Sequence, residues 1–234
     1  MIRSPLAIEP LFHIGPVPVT QPVVATWAIM AALVLVSALV TRRLKLVPSK
    51  VQSVAELVVG SIDHQIGEVV QSDPGRYRAL IGTIFLFILV ANWSSLIPGV
   101  EPPTAHIETD AALALIVFVA TLYFGISSNG LLGYLKTFAQ PTWVIMPINL
   151  VEQFTRTFSL FVRLFGNIMS GVFVIGIILS LAGLFVPIPL MALDLLTGAV
   201  QAYIFAILAC VFIGAAVSEG IGAARRQPQQ GSTQ

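Results

Sequence analysis

The chain has 234 residues, of which 56% are hydrophobic and only 10% charged, with a net charge of +1. A soluble domain carries about 25% charged residues, so most of this surface does not face water. No basic patch suggests a nucleic-acid partner, and the composition is that of an integral membrane protein.

The N-terminal stretch MIRSPLAIEPLFHIGPVPVTQP has no compact apolar core followed by a small-residue cleavage site, so it is not expected to be a removable signal peptide. A first apolar span covers 23–41 and stops at Arg42, Arg43 and Lys45. Residues 48–72 place Val51, Val54, Ala55, Val58, Val59, Ile62, Ile66 and Val69 at helical spacing with charges between them. That pattern predicts an amphipathic helix on the membrane surface. Apolar segments 80–97 and 111–127 read as a helical hairpin, followed by a Gly/Asn turn (SSNGLLG) and Lys136.

Two longer apolar segments, 143–184 and 190–223, are separated by FVPIP, where Pro187 and Pro189 are expected to break the helix. At 1.5 Å per residue each measures roughly 50–60 Å, against a hydrocarbon core of about 30 Å. Both must therefore tilt or bend. The period-2 alternation of a membrane β-barrel is missing. The expected fold is an all-α polytopic membrane protein forming a single domain, 1–234. It has five membrane-embedded helices and one amphipathic surface helix, the last two helices being long, tilted and antiparallel. Cys210, the single cysteine, forms no intramolecular disulfide and is read as packing.

Basic residues mark the cytoplasmic side. With the first span running outside to inside, Arg42, Arg43, Lys45, Lys50, Arg76, Arg78, Lys136, Arg225 and Arg226 all fall inside, and Arg3 outside. The N-terminus is expected outside and the C-terminus in the cytoplasm.

On a helical wheel, Asn149, Glu152, Arg156, Ser159, Arg163, Asn167 and Ser170 fall within roughly 80° of the first long segment. In the second, Asp194, Gln201 and Glu219 fall within about 20° of one another. Two antiparallel helices thus each carry a polar stripe and together are able to line a hydrated path. Glu152 and Arg156, spaced i, i+4, suit a local ion pair. Arg163 has no carboxylate at i±3 or i±4 and stands at the head of an uncharged run reaching to Leu193. An ionisable group at membrane depth costs at least roughly 2.5–3.5 kcal/mol and so needs a partner or a function. Its partner is either Asp194 on the next helix or a group on another protein.

SLFVRLFGNIMSG resembles the signature helix of subunit a of F-type ATP synthases, and VQAYIFAIL resembles that subunit's last helix. ANWSSLIPG and PTAHIETDAALAL resemble the end of its second span and the start of its third. The match runs in the same order from about Pro48 to Glu219. The resemblance implies a stator with two offset half-channels, pressed against a rotating ring of c subunits that carry carboxylates. Its partners would be that ring, the peripheral-stalk b subunits, other ATP synthase subunits, the lipid bilayer and the translocated proton or sodium ion. It implies that Arg163 is the essential ion-translocation residue, with Asn167 nearby and Gln201 facing it. Asp194, His106, Glu108, Asp110, Glu152, Arg156 and Ser170 complete the expected ion path, the alternative for Asp194 being a cap at the start of the last helix. The location implied is a bacterial inner membrane, and neither cofactor nor metal is expected.

Val172 stands where the family often has an acid, Asp194 where it often has a histidine or an acid, and His106, Glu108 and Asp110 replace a milder polar set. The outer half of the path is thus expected to be wired differently, as in a divergent or sodium-associated branch, with the proton as the expected ion. No nucleotide-binding motif is found, so catalysis is assigned to other subunits. The rival reading is a self-contained secondary transporter or ion channel, against which the sequence lacks an internal repeat. A purely structural anchor leaves the two aligned polar stripes unexplained.

Overall fold

The computed structural model describes residues 10–14, 17–42, 50–70, 73–96, 102–131, 133–134, 146–183 and 185–226. Expectations resting on Arg3, Arg43, Lys45 and Lys136, on positions 48, 49, 71, 72, 97, 143–145 and 184, and on the side chains of Glu219, Arg225 and Arg226 lie outside the described residues. Six helices stand among those described: α1 (Gln21–Thr41), α2 (Lys50–Val70), α3 (Gly75–Trp93), α4 (Ile107–Asn129), α5 (Met146–Ala182) and α6 (Pro187–Arg226). All but α2 are long and apolar enough to cross a membrane. The chain is an all-α polytopic membrane protein.

Composition explains each type. α1 is apolar on every face; it buries only Pro22 and Ile29 and leaves Trp27, Val34, Leu35 and Leu39 exposed. Exposure on that scale is stable only against lipid. Pro22 sits in its first turn, where a missing N–H costs no hydrogen bond. In α3, Tyr77, Ile81, Ile84, Ile88 and Ala91 repeat at helical spacing and are all buried. In α4 the buried face is Asp110, Leu113, Ala114, Val117 and Thr121. Gly130 (φ +72°) and Gly183 (φ +74°) follow the last residues of α4 and α5 in the left-handed conformation that ends helices and that glycine adopts without strain.

Two features depart from the sequence expectation. Pro187 and Pro189 lie inside the first turn of α6 rather than between the long helices, because the N–H groups they lack would find no helical acceptor there. A short hairpin also precedes α1: β1 (Pro10–Ile14) pairs antiparallel with β2 (Val17–Thr20), Ile14 opposite Val17. Prolines at 10, 16 and 18 argue against strands, but both strands of a two-stranded ribbon are edges, where proline is tolerated.

The chain divides into two compact units. The first comprises Met1–Glu56, Phe85–Asp110 and Leu164–Tyr203. Its packing includes Ile88, Ala91, Leu164, Ile168 and Ala202, all buried. The second comprises Leu57–Ile84, Ala111–Arg163 and Ile204–Gln234. Here Tyr77 packs edge-on against Phe124 at 4.9 Å between centroids, and Arg76 donates to Ser127 Oγ (2.6 Å) while lying over the Phe124 ring. Arg78 of α3 pairs with Asp63 of α2, and Asn129 donates to the Ala216 carbonyl of α6 at 3.0 Å. α2 buries Ile66 and Val70 but leaves Val51, Val54 and Leu57 exposed.

Candidate functional site

The second unit holds a groove of about 280 Å³ lined by one edge of α5 (Glu152, Arg156, Ser159 and Arg163) and by Leu208 and Phe212 of α6. The polar side of the groove is thus four members of the α5 stripe together with Thr155. Arg156 pairs with Glu152 one turn earlier and lies over the Phe212 ring, 5.6 Å from its centroid. That stacking gives the guanidinium plane a second attachment which the i, i+4 spacing alone does not reveal. Arg163 is different: it is exposed and makes no ion pair or hydrogen bond with the described residues.

The first unit holds a smaller pocket of about 180 Å³. Asp194 of α6 reaches it, and the walls are mostly apolar: Leu96, Val172, Ile175 and Met191, with Ser95 and Pro102 at the ends of α3 and of the loop before α4. The Asp194 carboxylate occupies the space that a Cβ on Gly171 would take, so only glycine permits the contact. Asp194 stands in the second turn of α6, which begins at Pro187. It is therefore no N-cap, and the positive end of the helix dipole fades within the first turn.

The residues expected around the outer mouth divide. His106 and Asp110 are buried, whereas Glu108 is exposed in the first turn of α4. Neither carboxylate oxygen of Asp110 receives a hydrogen bond among the described residues. Among the described residues the buried Gln201 Nε2 and Asn167 Nδ2 both lack an acceptor, while Ser170 donates to the Asn167 carbonyl at 2.8 Å. Buried amides with spare donors usually face water or a ligand oxygen.

Comparison with known proteins decides the family. The family described as ATP synthase A chain matches residues 23–214. The chain belongs to the ATP synthase subunit a family. It is 58% identical over 217 residues to ATP synthase subunit a 2 of Bradyrhizobium sp., covering 93% of this chain and 97% of that one. It is 49% identical to subunit a of Albidiferax ferrireducens (83% and 85% covered) and 51% identical to subunit a 1 of Chlorobaculum parvum (83% and 87%). As a member of that family the chain is a multi-pass membrane subunit of ATP synthase, serves ATP synthesis and ion transport, and has other ATP synthase subunits as partners.

For a subunit of this family, the sequence alone does not disclose a polar chain in the first unit, buried at Asn92 and Thr104 and exposed at Trp93. Asn92 Nδ2 donates to the Gly198 carbonyl (2.8 Å), Thr104 Oγ1 donates to Asn92 Oδ1 (2.7 Å), and Trp93 Nε1 donates to the Leu195 carbonyl (3.3 Å). The available signal was a lone asparagine near the end of an apolar span, in ANWSSLIPG.

Proposed function

We propose that this chain is the non-catalytic stator ion-channel subunit of an F-type ATP synthase. It provides two half-channels that load and unload ions on the carboxylates of a ring of c subunits. Arg163 carries the reading: it is an exposed guanidinium without an ion-pair partner among the described residues, on the edge of a polar groove. No charge follows it in α5.

A guanidinium keeps its proton in proteins, so Arg163 is a fixed cation where a rotor carboxylate passes. An ion-loaded neutral carboxyl crosses lipid at tolerable cost; a bare carboxylate does not. Beside Arg163 the bare form is favoured, because a nearby opposite charge stabilises it. The arriving site therefore releases its ion, and the same charge blocks direct leakage between half-channels. The groove of Glu152, Arg156 and Ser159 serves the cytoplasmic side in this reading. The Asp194 pocket, with His106, Glu108 and Asp110 as its approach, serves the outer side. Asn167, Ser170 and Gln201 supply polar contacts along the path. Each charge crossing gains about 2.3 kcal/mol per 100 mV, so several ions are needed per ATP.

In this reading the N-terminus lies outside a bacterial inner membrane, the C-terminus lies in the cytoplasm, and b subunits anchor the stator. The domain is single, 1–234, with its long helices tilted against the ring, and the ion is the proton. Vesicles test the reading. The purified chain alone should pass neither protons nor radioactive sodium, while the assembled complex should pump one of them on ATP addition. Ion flux through the lone chain at the rate of the complex would make it a self-contained channel or transporter.

A further inference from the structure

The polar chain around Asn92 contains none of the residues assigned to the ion path. Asn92 is 3% exposed and Thr104 fully buried, in a protein whose other exposed faces are largely apolar. Its acceptors are two carbonyls of α6, Leu195 and Gly198, spaced i, i+3 and thus on one face of that helix. They immediately follow Asp194 and precede Gln201. Gly198 has no side chain, and a Cβ there would stand a tight 3.0 Å from Asn92 Cβ, a crowding that glycine avoids.

The same residues are tied to the pocket walls. Ser95, in the pocket, donates to the Asn92 carbonyl at 2.9 Å. Thr104 belongs to the 3-10 turn Pro103–Ala105, and that turn is closed by a bond from Ala105 N–H to the carbonyl of Pro102, another wall residue. Asn92 thus links the end of α3, the turn before α4 and α6, which are three of the elements around the Asp194 carboxylate. Gly171 of α5 contacts Asp194 from the fourth.

We propose that Asn92, Trp93 and Thr104 form a clamp that fixes the rotation of α6 about its axis and so aims the Asp194 carboxylate into its pocket. They are positioning residues of the outer ion path. Rotating one residue position moves a helical side chain by about 100°, so small slippage would turn Asp194 out of the pocket toward an apolar neighbour. The inference rests on the proposed role of Asp194 in ion transfer.

The test uses the assembled complex in inverted membrane vesicles, with ATP-driven uptake followed by a pH-sensitive dye and, in parallel, by radioactive sodium. Thr104→Val keeps the shape and removes the hydroxyl; Trp93→Phe keeps an aromatic ring and removes the N–H; Thr104→Ser restores the donor. Each lost hydrogen bond should lower uptake by about three- to tenfold, with uncoupled ATP hydrolysis retained. Thr104→Ser should recover most of the loss. In a Cys210→Ala background, Asp194→Cys should react with a small water-soluble thiol reagent, and adding Thr104→Val should change that rate at least threefold. This labelling reads side-chain direction whether or not transport survives. Unchanged labelling, equal loss in Thr104→Val and Thr104→Ser, or full uptake in Thr104→Val and Trp93→Phe would each overturn the clamp. Full uptake in Asp194→Asn would remove its purpose and overturn it as well. In all four cases the Arg163 reading stays open to its own test.

Discussion

Adding one methyl at Gly171 probes the closest contact around Asp194. A Cβ at Gly171 would overlap Asp194 Oδ1 outright and stand 2.9 Å from Cγ, so Gly171→Ala has no room unless Asp194 turns or α5 and α6 part locally. Overpacking of this kind costs about 1–3 kcal/mol. Alanine also favours the helix over glycine by about 0.5–1 kcal/mol, which offsets part of the loss. Gly60→Ala isolates that second effect, because a Cβ at Gly60, inside α2, meets nothing within 4 Å. The helix contribution is common to both variants, so the difference between them is the collision alone, about 1–3 kcal/mol. Equilibrium unfolding of the purified chain by SDS in mixed micelles measures it. Gly60→Ala should be slightly more stable than the parent and Gly171→Ala less stable than Gly60→Ala by that difference. In an Asp194→Ala background the collision disappears, and Gly171→Ala should then match Gly60→Ala, a coupling read directly by a double-mutant cycle. Gly171→Ala as stable as Gly60→Ala in the parent background would refute the packing on which the Asp194 pocket depends.

Asp194→Asn keeps the size of the side chain but cannot carry a proton; vesicles should retain uncoupled ATP hydrolysis and lose most ATP-driven uptake, and wild-type uptake would return the outer half-channel to His106, Glu108 and Asp110. Arg156→Lys should keep uptake within about twofold, because the pair with Glu152 survives and only the stacking on Phe212 weakens by roughly 0.5–1 kcal/mol; a complete loss would give Arg156 a role beyond that pairing. Cysteines placed at Thr20 and at Arg42 in a Cys210→Ala background should react with membrane-impermeant reagent only from the outer and only from the cytoplasmic side respectively, and the reverse pattern would invert the topology.

The five membrane segments and the amphipathic α2 are legible in sequence because uncharged length and helical periodicity report directly on the surrounding solvent. The start of α6 is less so. Pro187 and Pro189 read as breakers, but a proline is tolerated in a first turn, and the helix begins there. That difference changes where Asp194 stands: counted from Leu190 it lies near a helix start, and counted from Pro187 it lies in the second turn. The α5 stripe was visible as a periodicity, and four of its members do line one groove. What periodicity cannot show is which stripe members are already paired. Arg156 finds Glu152 and Phe212, while Arg163 finds no such partner among the described residues. Contacts between distant segments were also illegible. Asn92 with Gly198 and Gly171 with Asp194 each depend on a glycine whose missing side chain is filled by a residue from another helix. Nothing local in the sequence distinguishes these glycines from Gly60.

The most direct measurement is ATP-driven ion uptake by vesicles carrying Arg163→Ala, recorded together with uncoupled ATP hydrolysis and the amount of assembled complex. A fixed cation with no ion-pair partner among the described residues, placed by this account at the passage of the rotor carboxylates, predicts normal assembly, retained hydrolysis and uptake reduced at least a hundredfold. Arg163→Lys should also fail largely, since a compact, strongly hydrated ammonium does not reproduce the planar guanidinium. Assembled complex with Arg163→Ala that pumps within a few-fold of the parent would contradict the account.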